Sequence, residues 1–319
     1  MRLRHESVDR TISFSSANQW EGHFVSTTPH LPFGSDDRIG AANYVTEREV
    51  LRAIGLVREG RIVDLSLPIG PDSPRIPGIN SPLVLSMWSH PLVSQRVHYE
   101  RGTRNGVAFA DERIEFDTHT GTHIDALGHT SANGRMYNGV EVARAVGNHG
   151  LTDLDASCIP PLLTRGVLLD LVAVKGRFLE AGEAVEPEDL EAAEGLVPGG
   201  VQSGDIALVR TGWARHYGID SLRYAVSAPG ISESASSWLA DKKVAAVAGD
   251  TMSIEVTPFQ DPENSDPVHL NLLVRRGVYM IEQCNLEVPD IRGREFLCCC
   301  LAPLFSGATG SPLRLVAVL

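Results

Sequence analysis

The sequence has no long apolar run. None of its segments approaches the ~18 consecutive apolar residues that a membrane-spanning helix needs. The first residues, Met1 to Ser7, also contain no apolar stretch of the kind that a secretory signal peptide has. We therefore expect a cytoplasmic protein that has no membrane partner.

Positive charge is scarce as well. The chain has 28 Lys and Arg residues against 40 Asp and Glu residues, which gives a formal net charge of −12 and a pI near 5.4. Nucleic acids and anionic lipids attract basic surfaces, so neither is expected as a partner. A small-molecule substrate is the partner that this composition leaves open.

The sequence lacks two patterns that would indicate other chemistry. Its five cysteines, Cys158, Cys284 and the run Cys298 to Cys300, contain no C-x-x-C pair. They are expected to be reduced thiols that behave as small buried apolar residues. The chain also has no Gly-x-Ser-x-Gly elbow, so a serine nucleophile of the α/β-hydrolase type is not indicated.

The length and the pattern of the chain indicate one α/β domain. The chain has 319 residues, of which 43% are hydrophobic, enough for a full core. Strand patterns over residues 83–88, 95–99, 113–117, 167–174, 206–210 and 244–248 combine with helical patterns over 186–194 and 232–242. Because strands and helices alternate in the second half, we expect a mixed sheet with some parallel pairing. No repeat or linker is evident, so residues 33–319 are predicted to form one domain behind an N-terminal arm, residues 1–32.

One short segment contains three histidines and a carboxylate, at His119, His123, Asp125 and His129. A helix would turn Asp125 away from the first two histidines, at ~100° per residue. A flat strand would hold His119 and His123 some ~13 Å apart. The chain must therefore bend within the motif if these side chains are to share one ion, and Gly121 gives it the freedom to do so.

Isolated histidines usually lie on the surface or in the core, and this chain has 11 of them. A cluster this dense favours metal binding instead. Two histidines and a carboxylate suit Zn, Mn or Fe(II), and they leave coordination positions free for water and substrate. A metal coordination position that is free for water and substrate indicates a catalytic rather than a structural metal site.

Two later residues are further candidates. His269 follows Asp266 and Pro267, which read as the N-cap and the first-turn proline of a helix that ends at Gly277. The positive end of that helix disfavours a charged imidazole and so favours the neutral form that binds metals. Glu282 ends a predicted strand over residues 278–281. Taken alone, His269 is more typical of a surface residue in a first helical turn, and Glu282 of a solvated residue at a strand end, than either is of a ligand.

Together these residues resemble the metal-dependent cyclase family, which includes bacterial kynurenine formamidase and isatin hydrolase. The family pattern His-x-Gly-Thr-His-x-Asp-x-Pro-x-His is present from His119 to His129, with Leu127 in place of proline. The likeness extends to Asp64-Leu-Ser66, Pro77-Gly78, Arg210-Thr-Gly-Trp213 and Gly249-Asp250, and thus from about residue 33 onward.

The resemblance implies a compact α/β/β fold, a divalent-metal cofactor and assembly as a homodimer or homotetramer. It implies that His119, His123 and Asp125 bind the first ion, and that Asp125 bridges to a second ion held by His269 and Glu282. His129 would be the acid/base residue or an additional ligand. The choices between Zn and Mn, and between one ion and two, stay open.

The implied reaction is hydrolysis by metal-activated water. Kynurenine formamidases tend to carry Trp before the early Pro-Gly pair, where this chain has Arg75-Ile76. A cyclic amide or a lactone is therefore favoured over an aryl formamide. Phe33, Trp88, Tyr99 and Trp213 are candidate substrate contacts, although aromatic residues of this kind belong to the core more often than to a pocket.

Two other functions fit part of this pattern. An Fe(II) oxygenase with a 2-His-1-carboxylate site is one, but it would leave two histidines of the motif unused. A catalytically silent metal-binding protein is the other.

Overall fold

The structure, a computed structural model, describes residues 32–319. The predicted N-terminal arm therefore lies, apart from Pro32, outside the described residues, and its boundary stays a prediction. Among the described helices, none is both long enough and apolar enough to cross a membrane.

The fold is built on strands that are mostly short. They are β1 (Ile62–Asp64), β2 (Val84–Ser89), β3 (Asp111–Glu115), β4 (His123–Asp125), β5 (Val146–Gly147), β6 (Gly150–Leu151), β7 (Leu162–Asp170), β8 (Ala184–Val185), β9 (Ile206–Arg210), β10 (Gly230–Ile231), β11 (Ala246–Gly249), β12 (Tyr279–Glu282), β13 (Glu295–Cys300), β14 (Gly310–Pro312) and β15 (Val316–Val318).

The helices are also short. They are α1 (Glu47–Ile54), α2 (Pro91–Glu100), α3 (Val142–Ala145), α4 (Leu171–Lys175), α5 (Pro187–Glu194), α6 (Ser221–Val226), α7 (Glu233–Asp241) and α8 (Pro267–His269). Helix α8 continues into a π-helical segment, Leu270–Arg276. This segment ends at Gly277, which has the left-handed backbone conformation. Pro187 and Pro267 each stand in the first turn of their helix, as predicted.

Nine strands form one mixed sheet in the order β1, β15, β13, β7, β9, β11, β12, β4, β14. The strands β7, β9, β11 and β12 run parallel to their neighbours within this group, and the remaining neighbours in the sheet pair antiparallel. The expected α/β class with a mixed, partly parallel sheet is therefore confirmed. The sheet also brings β12 beside β4, which joins the late part of the chain to the early metal motif.

The parallel strands are the centre of the core, and their residues are almost all buried, as their apolar sequences indicate. The prediction of a strand over residues 167–174 was correct only for its first half. The chain leaves β7 at Asp170 because the Asp170 carboxylate accepts a hydrogen bond from the backbone N–H of Ala173 and so caps α4.

The prediction of a strand over residues 95–99 was wrong, because this segment belongs to α2. The alternation of Gln95, Val97 and Tyr99 suggested a strand. The helix is set by its start instead: Pro91 occupies the first turn, and the His90 ring accepts a hydrogen bond from the backbone N–H of Leu92.

The five cysteines are unpaired, as expected. Cys284, Cys298 and Cys300 are buried, and the desolvation that burial causes raises the pKa of the Cys300 thiol to about 12. These thiols therefore stay protonated at neutral pH and act as small core residues.

Three strand pairs lie outside the main sheet: β2 with β3, β5 with β6, and β8 with β10. Strands β2 and β3 pair only with each other, and α2 lies between them in the chain. A buried face was predicted for residues 113–117, but every residue of β3 is exposed in the described chain. The polar and apolar residues do alternate, but none of the residues that the structure describes covers the apolar side of β3.

Candidate metal centre

The metal motif begins in a turn that Asp117 organises. One Asp117 carboxylate oxygen accepts a hydrogen bond from the backbone N–H of His119 at 3.0 Å, and the other accepts one from the Asn80 amide at 3.1 Å. Gly121 follows at a φ of +67°, and a Cβ atom there would lie 2.5 Å from the Ile69 side chain. The bend that we predicted at Gly121 is therefore present, and glycine is required for both the dihedral angle and the space.

After the turn, β4 places His123 and Asp125 on one face of the sheet, because side chains two residues apart point the same way. The strand lies between β12 and β14. Its register sets His123 directly opposite Glu282, so these two side chains are cross-strand neighbours. On the other side, Gly310 pairs with Asp125. A Cβ atom on Gly310 would lie only 2.6 Å from the His119 ring, which therefore needs a glycine here.

His269 reaches the same place from the last residue of α8, in the first turn of the longer helical segment. Glu255, which is buried, accepts hydrogen bonds on its Oε1 atom from the backbone N–H of His269 at 2.8 Å and from the ring Nδ1 at 2.9 Å. These contacts fix the ring so that Nε2 points toward Asp125 and Glu282. Such a carboxylate behind a histidine is a common feature of metal sites.

The ligand atoms of these residues converge. The Nε2 atom of His123 lies 3.4 Å from Asp125 Oδ1 and 3.4 Å from Glu282 Oε2, and His269 Nε2 lies 3.5 Å from Glu282 Oε1. Atoms bound at about 2.1 Å to a tetrahedral ion lie about 3.4 Å from one another. The spacing therefore suits a shared divalent cation.

Hydrogen bonding gives an independent indication. His123 Nε2 and both carboxylate oxygens of Asp125 are buried and have no hydrogen-bond partner among the described residues. The other ring nitrogen of His123, Nδ1, lies 2.8 Å from the backbone carbonyl of Gly121, so Nε2 is the nitrogen that faces Asp125 and Glu282. His119 Nδ1 lies 2.8 Å from Asp125 Oδ1 without the alignment of a hydrogen bond. Unpaired buried acceptors are costly, and a cation would satisfy all of them.

Asp125 belongs to two groups of potential ligands. His119, Asp125 and His129 form one, and His123, Asp125 and Glu282 form the other. Glu255, Asp266 and His269 form a third group beside them. The structure therefore brings together the five residues that the sequence indicated as ligands. Their grouping differs from the one that the resemblance implied, in which His119 and His123 bind one ion and His269 and Glu282 bind the other.

The charged groups of the centre shift one another's pKa values. Burial opposes a charge on His123, but the neighbouring carboxylates of Asp125 and Glu282 outweigh it and raise the pKa of His123 to about 10. Burial likewise opposes a charge on His269, but Glu255 raises the pKa of His269 to about 9. The expectation that the helix end would keep His269 neutral therefore overlooked the carboxylates around it. Although burial favours a neutral Asp125, the surrounding histidines hold the pKa of Asp125 well below its usual range.

His129 lies at the edge of the cluster. Its ring centre is 4.2 Å from that of His119 and 6.0 Å from that of His269, and its side chain is exposed toward the cavity. Desolvation by the surrounding protein lowers the pKa of His129 to about 4, against the opposing charge of Asp125. A neutral imidazole therefore faces the cavity at neutral pH.

The ligand atoms open into a cavity of about 700 Å³, a size typical of small-molecule sites. Its polar end is formed by the metal motif with Asp117, Glu282 and Thr309. The other lining residues are largely apolar and include Ile76, Ile79, Ala225, Val226, Met252 and Phe259. None of the described lining residues is Lys or Arg.

The four aromatic residues predicted to contact substrate do not line this cavity in the single chain. Trp213 is fully buried in a small cluster with Tyr224 and Met252, and Phe33 packs edge-on against Tyr44. Trp88 is 81% exposed and Tyr99 is 61% exposed, both in the segment that runs from β2 to β3 outside the main sheet. The aromatic side chain that does line the cavity is Phe259.

Sequence reasoning missed Glu255 and Thr309. Thr309 Oγ1 lies 3.0 Å from His119 Nε2 and so holds the ring from behind. Neither residue belongs to a local pattern that marks it, because each reaches its histidine only through the tertiary fold. Asp117 could have been recognised, because Asp two residues before His119 is typical of a side chain that caps a turn.

The comparisons with known proteins agree with this architecture. The Cyclase family model matches residues 63–256 of the chain. A crystal structure of a cyclase superposes with a TM-score of 0.80 at 30% sequence identity, covering 90% of this chain and 96% of the other. No curated protein sequence matches the chain significantly.

Two isatin hydrolases share the fold at lower identity. One, bound to the product analogue thioisatinate, has a TM-score of 0.60 at 17% identity and covers 86% of this chain and 99% of its own. The other, isatin hydrolase A from Ralstonia solanacearum, has a TM-score of 0.59 at 22% identity and covers 85% and 97%.

Proposed function

The chain belongs to the cyclase family, and we propose that it is a metal-dependent hydrolase that opens a small neutral cyclic amide or lactone. The observation that carries the proposal is the convergence of His123, Asp125 and Glu282, with buried acceptor atoms that lack partners, at one end of a cavity. The fold shared with isatin hydrolases supports the same reaction class.

The cation would be held by His119, His123, Asp125, His269 and Glu282. When bound, it supplies Lewis-acid chemistry, because it polarises a carbonyl group and lowers the pKa of water from 15.7 to about 7. Zn and Mn both suit these nitrogen and oxygen ligands. Asp125 faces two ligand groups, which supports a shared carboxylate if two ions bind.

The chain's own residues select and orient the substrate. The apolar lining residues pack against the body of a small ring compound and exclude water from it. Asp117 and Glu282 line the cavity, and none of the described lining residues is Lys or Arg. An anionic substrate would therefore have no Lys or Arg to pair with there. A neutral ring with its carbonyl toward the histidines fits this distribution better than a carboxylate compound.

We assign the proton transfer to His129. Its ring faces the cavity beside His119, and a neutral imidazole nitrogen can accept a proton from the attacking water and return it to the leaving nitrogen or oxygen. Such transfer contributes roughly 10²–10⁴-fold to a rate. A covalent nucleophile is not needed for this reaction.

Metal analysis of protein purified without chelator, followed by a substrate panel, tests the proposal. The panel contains isatin-like cyclic amides, lactones and aryl formamides, each assayed with Zn and with Mn and without oxygen. We expect bound divalent metal and oxygen-independent ring opening, which Asp125→Asn abolishes and the surface change Asp72→Asn leaves intact. Turnover that requires oxygen would indicate an Fe(II) oxygenase instead, and metal without turnover of any compound would indicate a silent metal-binding protein.

A further inference from the structure

Gln283 is a buried polar residue directly after Glu282, the last residue of β12. It is one of the residues that line the cavity. Its backbone N–H donates to the carbonyl of Thr251 at 3.0 Å, and its own carbonyl accepts from the Thr122 hydroxyl at 2.6 Å. These contacts hold Gln283 at a φ of +54°, which is uncommon for a residue other than glycine. The fold therefore fixes where its side chain starts.

The side-chain amide of Gln283 has one satisfied end and one unsatisfied end. Its Nε2 group donates a hydrogen bond to the backbone carbonyl of His119 at 3.0 Å. A carbonyl oxygen only accepts hydrogen bonds, so this contact fixes which end of the amide is the nitrogen. The Oε1 atom is left buried and without a hydrogen-bond partner among the described residues. A buried carbonyl oxygen in that state is costly and calls for a donor.

The other polar side chains of the cavity do not share this state. Both carboxylate oxygens of Asp117 accept hydrogen bonds, and Asp266 is exposed, so that water can reach it. Ser253 and Thr257 are half-buried, and their hydroxyl groups can rotate toward a partner. Among the described lining residues, a buried polar atom without a partner is otherwise found on the candidate ligand His123.

The unpaired oxygen belongs to the polar end of the cavity, because the same amide is bonded to His119 and the residue before it is Glu282. In a cyclic amide with a free N–H, the nitrogen is bonded directly to the carbonyl carbon. A ring whose carbonyl group points toward the histidines therefore brings its N–H to the same end. In a lactone, a ring oxygen takes the place of that N–H and offers no donor.

We propose that Gln283 determines substrate specificity, because its Oε1 atom accepts a hydrogen bond from the ring N–H of a cyclic amide and so selects such amides over lactones. The inference rests on the proposed hydrolysis at this centre and narrows its substrate class. A site that hydrogen-bonds a substrate N–H rejects analogues that lack it, because the buried partner is then left unpaired. An unpaired buried acceptor corresponds to roughly a ten- to hundred-fold loss in affinity.

The first experiment compares three ring compounds that differ at one position. Isoindolinone has a ring N–H, phthalide has a ring oxygen there, and N-methylisoindolinone is an amide without the N–H. Calorimetry with the metal-loaded full chain should show isoindolinone binding roughly ten- to a hundred-fold more tightly than either of the other two. Equal affinity for isoindolinone and phthalide would overturn the proposal. So would equal affinity for isoindolinone and its N-methyl derivative, because the preference would then come from the amide carbonyl.

A variant tests whether Gln283 is the source of the preference. Gln283→Met keeps the length of the side chain and removes the amide, so its ratio of the two affinities, for isoindolinone and for phthalide, should fall close to one. Gln260→Met is the matched control, because Gln260 is exposed and does not line the cavity. An unchanged ratio in Gln283→Met, with both compounds weakened equally, would show that Gln283 only holds the turn of His119. A hundred-fold loss of metal affinity in chelator competition would mark Oε1 as a metal ligand. Either result would overturn the proposal.

Turnover of the same compounds separates this proposal from the proposed hydrolysis. Preferential binding of isoindolinone that Gln283→Met removes, without opening of any ring, would support the role of Gln283 and contradict the hydrolysis of such rings. Ring opening with equal kcat/KM for isoindolinone and phthalide would support the hydrolase and overturn the role of Gln283. Binding of none of the three compounds would overturn the role of Gln283 as well, because the cavity would then not accept such rings.

Discussion

Glu255 offers the sharpest test of how the metal centre is held. It accepts two hydrogen bonds from His269 on one oxygen, at 2.8 Å and 2.9 Å, and it is 1% exposed. A glutamine at this position keeps an acceptor but loses the negative charge, which removes the charge assistance of both bonds. An alanine leaves both donors of His269 without a partner.

The expected effect follows from that difference. Changes to residues that orient a metal-binding histidine typically cost 10–100-fold in metal affinity. We therefore expect Glu255→Gln to weaken metal binding about ten-fold, and Glu255→Ala to weaken it about a hundred-fold. The ranking of the two variants is as informative as the size of the loss in metal affinity. Only if Glu255 acts by holding His269 should the glutamine variant, which keeps an acceptor, bind metal more tightly than the alanine variant.

Chelator competition gives the affinity, and mass spectrometry of the bound metal gives the stoichiometry. Glu263→Gln is the matched control, because Glu263 is an exposed residue of the segment between Glu255 and His269 that makes no contact with the centre. Wild-type affinity in both Glu255 variants would refute the assignment. Equal loss in the control would show that the segment as a whole, and not the carboxylate, is responsible.

Three further predictions concern the site and its surroundings. His129→Ala should retain the metal and lose roughly 10²–10⁴-fold in turnover, since only proton transfer is removed; full activity with metal bound would exclude the role. Gly310→Ala should lower metal affinity while the fold persists, because the new Cβ would lie 2.6 Å from the His119 ring; unchanged affinity by chelator competition would contradict this. Burial raises the pKa of Asp250 to about 6 despite hydrogen bonds from Thr211. The folded state therefore binds this proton more tightly, and the stability that it contributes, about 3 kcal/mol, is present below about pH 4 and is lost as the pH rises through 6. Asp250→Asn should flatten that part of the curve of unfolding free energy against pH, and an unchanged slope in denaturant titrations would contradict it.

The sequence predicted the local elements well where the signal lies in neighbouring residues. Pro187 and Pro267 mark the starts of helices, and the apolar run of β9 predicts a buried strand. The bend at Gly121 was also predictable, because no regular element lets His119 and His123 approach one ion. Residues 95–99 were misread because their alternation competes with a helix start five residues earlier.

The types of metal ligand were likewise encoded locally, but their grouping was not. The motif from His119 to His129 supplies the chemistry whatever the fold. Which ligand faces which depends on the register of β4 against β12, which sets His123 opposite Glu282. A shift of one residue would turn Glu282 to the other face of the sheet.

What the sequence by itself determined is therefore the candidate metal motif from His119 to His129, the family and the alternation of strands and helices, since each depends on residues close together in the chain. Tertiary structure alone decided that Glu255 holds His269, that Trp213 lies in the core, and that β2 and β3 are left exposed by the residues that the structure describes. These features depend on contacts between segments far apart in sequence. Such contacts are set by sheet order and packing, which no local pattern records.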